Sequence, residues 1–409
     1  MTQTADIIVV GAGAAGLTAS IFAAEHNKQV LLLERNPQAG RKILMSGGTR
    51  CNVLPEVVTP DDFTTGSSIN ILRNILKSWP VDECKHWFER VAGIRLKLEP
   101  ETRKFFPESN AAKDVRDQLV RLAVARGVKM VYQTCIRSLY YKNDCWNLAD
   151  DHNRLLTAKK VIIATGGKSY PKTGTDGTGY RLASSLGHTV RPLYPALTPL
   201  IGPHPGDENL SGLSLPVTIS ANLAHGKSKN KTKDSSKGFL FTHKGYSGPA
   251  ILDIAHTVIP HLQADSDHTP TLYVNWANQS RQWWESLLHG KTTTELLLQK
   301  HLPKRLAQAL LSETGLSGKK VAELNKQERA QFLESLCQYT LQPKGYMGFE
   351  KAEVTGGGIP LEEVRPASME SRCASGLHLC GEMLDVFGRI GGFNFYWAWV
   401  TGRLAGMHT

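Results

Sequence analysis

The sequence lacks the features that would place the protein in a membrane or outside the cell. No uninterrupted apolar stretch approaches the roughly 18–20 residues that a membrane span needs. The first six residues contain no lysine or arginine, and the apolar run that follows, residues 7–10, is too short for the core of a signal peptide. We therefore expect a cytoplasmic protein with no membrane partner.

Cysteine is sparse, and its pattern indicates no metal site. The chain has seven cysteines, an odd number, and none of them forms a CxxC pair. No group of histidines completes the spacing of a zinc site. We therefore expect neither a disulfide framework nor a bound metal.

Acidic residues are the minority among the charged side chains. The 37 Asp and Glu residues face 48 Lys and Arg residues, which gives a formal net charge of +11 at pH 7. Because 41% of the 409 residues are apolar, the chain can bury a sizeable core and form two or three domains, which excludes a disordered chain. A surface this positive attracts polyanions, of which nucleic acid is the commonest in the cytosol. Charge alone does not establish such a partner.

The first 35 residues carry the most specific local motif. Residues 6–10, DIIVV, contain four β-branched residues in a row and predict a buried strand. This strand leads into the sequence GAGAAG, a helix-forming stretch and a second apolar run. Gly11 allows a tight turn, Gly13 lets the backbone approach a pyrophosphate, and Gly16 lets the helix pack close to the strand. Glu34, 18 residues beyond the last of these glycines, can accept hydrogen bonds from a ribose. The motif predicts a dinucleotide site.

Two later segments favour FAD over NAD as the dinucleotide. Residues 161–167, VIIATGG, read as an apolar strand that returns to the sheet beside the cofactor. Residues 376–394 read as a strand, an acidic turn and a glycine-rich helix start. A cofactor that is held by both ends of the chain is long, as FAD is. A second GxGxxG after a later strand is missing, so NADH or NADPH would bind transiently, reduce the FAD and leave.

Several segments together resemble a known family. Residues 46–52, SGGTRCN, are similar to the SGGGRCN loop of the YhiN/BaiN-like flavoproteins, which have a glutathione-reductase-like FAD fold. Further matches, in chain order, are 164–171, 178–183, 245–252, 354–358, 381–385, 391–394 and 397–399. The departures are Thr49 in place of a usual glycine, Phe393 in place of a frequent tyrosine, and a lysine-rich loop near residues 227–237.

The resemblance implies the fold class and the domain boundaries. We expect an α/β protein whose Rossmann-like FAD-binding domain, of the glutathione-reductase type, comprises residues 1–190 and 346–409. The insertion between them would contain a β-rich, barrel-like subdomain at 191–277 and a helical subdomain at 278–345. Prolines, glycines and short β-branched runs in the first part, and apolar residues at helical spacing in the second, support this division independently.

The motif and the resemblance together give a set of expected FAD contacts. The helix start at Asn394 would aim N–H groups at the pyrimidine edge of the flavin. A glycine-rich loop at 174–179 is interpreted as a loop near the flavin rather than as a second nucleotide site. The complete set of expected cofactor-binding residues is Gly11, Gly13, Ala14, Ala15, Gly16, Glu34, Arg35, Arg41, Lys42, Ser46, Gly47, Gly48, Arg50, Cys51, Asn52, Thr165, Gly166, Gly381, Glu382, Asp385, Gly391, Gly392, Phe393 and Asn394.

The family's activities, as the resemblance implies, include the saturation of carbon–carbon double bonds that are conjugated to a carbonyl. The favoured substrate is a uridine in ribosomal RNA, which becomes dihydrouridine; the alternatives are a steroid-like enone and a non-redox role as a flavin-bound RNA-binding factor. Hydride transfer needs an acid to protonate the α-carbon. Candidates are Cys51, Tyr170 and His243, although each also has a purely structural interpretation, as a packed thiol, a packed ring and a loop histidine.

The lysine-rich loop is the candidate contact to RNA. Five lysines fall within eleven residues, separated by Ser, Asn, Thr and Asp. The loop is either an electrostatic arm for an RNA backbone or a solvated loop that only aids solubility. The lysines concerned are Lys227, Lys229, Lys231, Lys233 and Lys237. The sequence gives no prediction of the oligomeric state.

Overall fold

A computed structural model describes residues 3–222, 237–264 and 271–409. Contacts divide the chain into two compact units. The first unit comprises Met1–Tyr194 and Glu353–Thr409, and the second comprises Pro195–Ala352. The predicted split of the insertion into barrel-like and helical parts stays a prediction. Four of the five lysines proposed to contact RNA, at positions 227, 229, 231 and 233, lie outside the described residues.

The described strands are short, and most belong to two large sheets. In chain order they are β1 (Gln3–Val10), β2 (Val30–Leu33), β3 (Leu54–Pro55), β4 (Phe63–Thr64), β5 (Leu96–Glu99), β6 (Lys104–Pro107), β7 (Lys129–Val131), β8 (Ile136–Lys142), β9 (Cys145–Asp150), β10 (Leu155–Ile163), β11 (Arg191–Ala196), β12 (Leu200–Ile201), β13 (Ser214–Asn222), β14 (Lys237–Thr242), β15 (Gly245–Ser247), β16 (Thr271–Asn275), β17 (Tyr339–Leu341), β18 (Gly345–Tyr346), β19 (Val354–Gly358), β20 (Leu377–Leu379) and β21 (Phe387–Gly388).

Helices cover the sheets and connect them. The described α-helices are α1 (Ala14–Ala23), α2 (Arg41–Met45), α3 (Ile69–Lys77), α4 (Val81–Arg90), α5 (Ala112–Ala125), α6 (Thr178–Ser184), α7 (Pro249–Gln263), α8 (Arg281–Glu285), α9 (Thr294–Gln299), α10 (Lys304–Thr314), α11 (Lys326–Cys337) and α12 (Phe393–Met407). Among the residues described, no helix combines the length and the apolar character that a membrane crossing requires.

The first unit is built on a mixed seven-stranded sheet with the order β7-β2-β1-β10-β9-β8, and β20 pairs with the end of β10. The pairs β7–β2, β2–β1, β1–β10 and β10–β20 are parallel. All four residues of β2 are buried, as expected for a strand that is covered on both faces. Val10, Leu33 and Ile163 stand in register at the carboxyl ends of three neighbouring strands, so the loops that follow them meet at one edge.

The two ends of the chain pack against each other in this unit. Helix α12 lies against α1, and glycine makes the close approach possible. A Cβ atom at Gly402 would lie 2.5 Å from the carbonyl oxygen of Ala15, and one at Gly406 would lie 2.3 Å from that of Ala19. The C-terminal helix is thereby fixed beside the glycine motif of the N-terminus.

The second unit contains an antiparallel sheet with the order β17-β16-β13-β14-β15-β12-β18. Its core includes a cluster of buried aromatic rings, in which Phe241 stacks on Trp276 at a centroid distance of 5.7 Å. Helix α7 buries the apolar side chains at six of its positions. Strand β17 lies in the range predicted to be helical, yet it pairs with β16, because the chain returns to the sheet after α11.

Candidate functional site

A cavity of about 470 Å³ lies within the first unit, at the carboxyl edge of the parallel strands. The turns after β1, β2 and β10 form part of its wall, and α2 with the loop that follows it forms another part. The start of α12, the segment after β20, residues 134–136 and residues 353–354 form the rest of it. A crevice at the carboxyl ends of parallel strands is where α/β proteins bind nucleotides.

The three glycines of the N-terminal motif have distinct surroundings. Gly11 has a φ of +103°, and a Cβ atom there would lie 2.6 Å from the carbonyl oxygen of Ala164. At Gly16 a Cβ atom would lie 1.8 Å from the carbonyl oxygen of Gly11, so only glycine lets α1 begin so close to the turn. A Cβ atom at Gly13 would meet no protein atom within 4 Å. Because Gly13 lines the cavity, its open side is space for a ligand.

Glu34 ends β2 with a buried carboxylate that lines the cavity. Its Oε2 accepts a hydrogen bond from the backbone N–H of Ala12 at 2.9 Å. Its Oε1 accepts from the backbone N–H of Asn36 at 2.9 Å and from the Asn36 side chain at 2.6 Å. These bonds fix the carboxylate beside the glycine turn, where Oε2, which accepts a single bond, can still accept from a hydroxyl group.

Arg35 is held by the loop that was expected to lie near the flavin. Its guanidinium forms an ion pair with Asp176 at 2.6 Å and donates a hydrogen bond to the carbonyl of Gly174 at 3.1 Å. Burial acts to raise the pKa of Asp176, but hydrogen bonds from Arg35 and Thr178 outweigh it and lower that pKa to about 2. Gly174 and Asp176 both line the cavity, so the loop lies at this site.

Lys42, on α2, joins a polar network with two other chain segments. Its ammonium donates hydrogen bonds to Ser169 Oγ at 2.5 Å and to Glu382 Oε2 at 2.6 Å. The other carboxylate oxygen, Glu382 Oε1, accepts from Ser169 Oγ at 2.7 Å and from the backbone N–H of Thr355 at 3.0 Å. Lys42 and Glu382 line the cavity, and this network fixes their charges.

The loop at residues 46–52 has an unusual backbone. Gly47, Gly48, Thr49 and Cys51 all have φ between +56° and +71°, the left-handed region that favours glycine. Thr49 occupies the position where the family usually has glycine, so a β-branched side chain is held there in a strained conformation. Ser46, Gly47, Gly48 and Asn52 line the cavity.

Two residues of this loop that were expected to bind the cofactor, Arg50 and Cys51, do not line the cavity, and neither does Thr49. Arg50 forms an ion pair with Glu99 at 2.8 Å and lies over the ring of Phe106 at 4.0 Å, so it ties the loop to β5 and β6. Cys51 is fully buried. Burial raises the pKa of its thiol to about 12.

The three candidate acids have different surroundings. Tyr170 lines the cavity at the start of a short 3-10 turn, and its pKa is raised by burial and by the charge of Glu353, which also lines the cavity. Cys51 is buried away from the cavity, and its raised pKa argues against acid–base chemistry near neutral pH. His243 is exposed in the turn between β14 and β15, in the second unit, and does not line this cavity.

The start of the C-terminal helix α12 forms part of the cavity wall. Gly391, Gly392 and Asn394 line the cavity, and α12 begins with its first N–H groups at this position. The Asn394 side chain is bonded to the backbone of Gly388, with both contacts at 2.8 Å, and so fixes the start of the helix. The backbone N–H groups of the first turn are therefore the groups available to a ligand.

Three more predicted contacts lie off the cavity wall. Asp385 pairs with Arg191 and accepts from the backbone N–H of Gly66 at 3.1 Å. Phe393 packs edge-on against Phe63 at a centroid distance of 5.9 Å. Gly16 does not line the cavity; it allows α1 to pack against the carbonyl of Gly11. The other predicted contacts line the cavity: Gly11, Gly13, Ala14, Ala15, Glu34, Arg35, Arg41, Lys42, Ser46, Gly47, Gly48, Asn52, Thr165, Gly166, Gly381, Glu382, Gly391, Gly392 and Asn394.

Sequence reasoning missed several residues of the wall. Asn36 lies two residues after Glu34, the acid of the dinucleotide motif. Its side-chain amide donates hydrogen bonds to Glu34 and to the carbonyl of Thr173. Its closeness to the motif in the sequence could therefore have identified it. Cys135 and Glu353 lie outside every motif recognised in the sequence. Only the tertiary fold brings them to the cavity. Lys237, the one described lysine of the proposed RNA contact, pairs with Asp253 in the second unit.

The residues at the cavity fit FAD. Asn52 Oδ1 and Thr165 Oγ1 are buried polar atoms without a hydrogen-bond partner, and both residues line the cavity. Buried polar atoms normally have partners, so these two atoms indicate that a polar ligand completes the site. The starts of α1 and α12 present backbone N–H groups, as phosphates and a flavin require, and Glu34 presents a carboxylate, as a ribose requires.

Comparison with known proteins gives matches over nearly the whole chain. The family model described as "HI0933-like protein Rossmann domain" matches residues 5–408. The ribosomal RNA dihydrouridine synthase of Escherichia coli is 30% identical, with 96% of this chain and 95% of that protein covered. The Haemophilus influenzae protein of the same name is also 30% identical, with coverages of 98% and 97%. The 3-dehydro-bile acid delta(4,6)-reductase of Clostridium scindens is 31% identical, with 97% of both chains covered.

Solved structures agree on the fold. A flavocytochrome c3 fumarate reductase matches 99% of this chain and 78% of its own at a TM-score of 0.51 and 16% identity. The 3-ketosteroid-delta4-(5alpha)-dehydrogenase of Rhodococcus jostii RHA1 matches 99% and 96% at a TM-score of 0.52 and 15% identity. The family model and the full-length relatives confirm the resemblance to the YhiN/BaiN-like flavoproteins. The family model and the solved structures confirm the Rossmann-like α/β fold.

Proposed function

The chain belongs to the HI0933-like family, and we propose that it is an FAD-dependent reductase of a carbon–carbon double bond conjugated to a carbonyl group. The observation that carries the proposal is the cavity at the carboxyl edge of the sheet, with two helix starts and two partnerless buried polar atoms at its wall. The names of the full-length relatives give the reaction class, since both kinds of relative reduce such a bond.

Different residues of the cavity would contact different parts of the FAD molecule. The turn at Gly13 and the start of α1 would hold the pyrophosphate, and Glu34 would accept hydrogen bonds from the adenosine ribose. Asn52, Thr165 and the start of α12 would contact the flavin half. Reduced FAD, when bound, supplies the hydride that adds to the β-carbon of the conjugated system, which is C6 in a uracil.

The protein must supply the proton that completes the reduction. As negative charge develops on the carbonyl oxygen, the α-carbon, C5 in a uracil, takes a proton. Tyr170 is the one of the three candidates that lines the cavity, and we assign it this role. Its raised pKa keeps the phenol protonated at neutral pH, and the phenolate left after transfer regains its proton from solvent.

We favour a uridine in ribosomal RNA as the substrate. Sequence identity does not separate the two kinds of relative, because the values are 30% and 31%. The net charge of +11 favours the polyanionic substrate. The reaction would then take place in the cytoplasm, with NADH or NADPH as the transient reductant. A steroid-like enone is the alternative that the bile-acid reductase supports.

The decisive experiment compares ribosomal RNA from cells with and without the gene by mass spectrometry. We expect one nucleotide to become lighter by two hydrogen atoms, from dihydrouridine to uridine, when the gene is deleted. In parallel, purified protein with bound FAD is mixed with NADH or NADPH without oxygen, and the flavin absorption is followed. Bleaching that is reversed by a steroid-like enone, together with unchanged RNA, would support the small-molecule alternative. RNA binding without bleaching by any reductant would support the non-redox alternative.

The lysine loop has a separate test. Substitution of Lys227, Lys229, Lys231 and Lys233 by Gln should weaken RNA binding and flatten its dependence on salt, because fewer counterions are released. The matched control replaces four exposed lysines elsewhere, Lys113, Lys142, Lys159 and Lys326, by Gln. An equal loss in both variants would show that only the total charge matters.

A further inference from the structure

A second group of chemically reactive side chains lies outside the cavity in the first unit. His188 follows α6, Glu363 ends a 3-10 turn, and Cys373 precedes β20. His188 Nδ1 lies 2.7 Å from Glu363 Oε2 and 3.7 Å from Cys373 Sγ. The three potential ligand atoms all lie within 4.8 Å of one another. None of these residues lines the cavity.

The search for short ligand spacings in the sequence, which predicted no metal, could not detect this group. His188 is separated from Glu363 by 175 residues and from Cys373 by 185, so no short ligand motif exists. We propose that these three side chains form a binding site for a divalent transition metal, with zinc as the ion that the ligand set suits best. Imidazole, carboxylate and thiolate are all ligands that zinc takes in proteins.

The distances are close to those of a tetrahedral site. Zinc binds nitrogen and oxygen at about 2.0–2.2 Å and sulfur at about 2.3 Å, so neighbouring ligand atoms lie roughly 3.3–3.8 Å apart. The separation of Cys373 Sγ from His188 Nδ1 already falls in this range. Glu363 would have to withdraw from the ring by about half an ångström. Because Cys373 is exposed, solvent can provide the fourth ligand.

The surroundings of the ring favour a fixed orientation. His188 is buried, and its Nε2 lies 2.7 Å from Ser371 Oγ. An acceptor on the second ring nitrogen is the usual partner of a metal-bound histidine. When Nδ1 binds the metal, the ring proton lies on Nε2 and the Cys373 thiol releases its proton. Ser371 Oγ already accepts from the N–H groups of Cys373 and Ala374, which uses both of its lone pairs, so it can accept the ring proton only if one of these bonds is released. We therefore expect weaker binding than at a closed site with four protein ligands.

The test is a titration of the chelator-treated holoprotein with Co²⁺, which replaces Zn²⁺ and absorbs at longer wavelengths than oxidised flavin. We expect one Co²⁺ per chain with the strong absorption of a tetrahedral site, displaced by Zn²⁺. C373S should lose that absorption. C145S is the matched control, since Cys145 is a half-exposed thiol in the β8–β9 hairpin.

Alkylation gives a second readout that does not depend on colour. Zn²⁺ should slow the reaction of Cys373 with iodoacetamide and leave the rate at Cys145 unchanged, as mapped by peptide mass spectrometry. Because Cys373 is exposed, C373S should keep the fold, which its FAD content and thermal midpoint would verify. Equal Co²⁺ uptake by C373S, or no protection of Cys373 by Zn²⁺, would overturn the proposal.

Discussion

Lys42 Nζ lies 2.6 Å from Glu382 Oε2, although 340 residues separate them in the chain. The ion pair joins α2 to the segment after β20, and both side chains line the cavity. It therefore connects the N-terminal and C-terminal parts of the proposed FAD site.

Breaking this pair should weaken both the fold and the binding of FAD. K42M leaves the carboxylate of Glu382, 17% exposed, without its countercharge, and we expect a loss of about 1–3 kcal/mol in the free energy of unfolding. E382Q should have a similar effect. Urea unfolding and FAD titration measure the two quantities. K172M, which changes an exposed lysine nearby, should leave both quantities unchanged. If K42M also left the stability and the FAD affinity unchanged, the ion pair would not be needed for either.

Alanine substitutions at two glycines of the motif should have different effects, one on stability and one on FAD binding. G16A places a methyl group against the carbonyl of Gly11, and we expect the FAD-free protein to lose about 1–3 kcal/mol of stability. G13A meets no protein atom, so the FAD-free protein should unfold almost as wild type does, while FAD binds about tenfold more weakly or worse. If G13A kept full affinity for FAD, the pyrophosphate would not lie at this turn.

The strained loop allows a stabilising substitution. Thr49 has a φ of +71° and is exposed, so T49G should relieve backbone strain and raise the free energy of unfolding by about 0.5–1 kcal/mol. G48A is the reciprocal variant, since Gly48 has a φ of +65° and its Cβ would meet no atom within 4 Å. It should lose about 1 kcal/mol through strain alone. A destabilised T49G would mean that the threonine side chain makes a contact that outweighs the strain.

Y170F tests the proton donor of the proposed reaction. We expect the rate of substrate reduction to fall about 10²- to 10⁴-fold, while FAD binding and its reduction by NADH or NADPH stay unchanged. Since the pKa of Tyr170 is raised and the protonated phenol is the active form, wild-type activity should persist through neutral pH and fall only at strongly alkaline pH. C51A should keep the activity. Full activity in Y170F would remove Tyr170 from the mechanism.

Cys51 should make stability depend on alkaline pH. Its thiol ionises near pH 9 when unfolded but only near 12 when folded, so above about pH 9 the unfolded state loses a proton that the folded state keeps. Stability contributed by this group is therefore lost as the pH rises, with a slope that approaches about 1.4 kcal/mol per pH unit. Urea unfolding at several pH values should give a shallower slope for C51A than for wild type. Equal slopes would show that the thiol is not buried as described.

Local patterns determined a large part of this protein. The run of β-branched residues, the spacing of Gly11, Gly13 and Gly16, and the acid at Glu34 specify strand, turn, helix and strand because each step depends on neighbours in the chain. The same patterns indicate a dinucleotide at the turn. The loop at 46–52, recognised by resemblance, also lies at the cavity, through Ser46, Gly47, Gly48 and Asn52.

Only the tertiary structure decided which side chains of those motifs face the cavity. Arg50, Cys51, Asp385 and Phe393 lie in the predicted motifs, but each is directed to a partner or into the core by packing with distant segments. The pairing of Lys42 with Glu382, and the meeting of His188, Glu363 and Cys373, depend on strand order and loop paths over more than a hundred residues. No local periodicity encodes such distances, because they arise only when the two ends of the chain pack around one sheet.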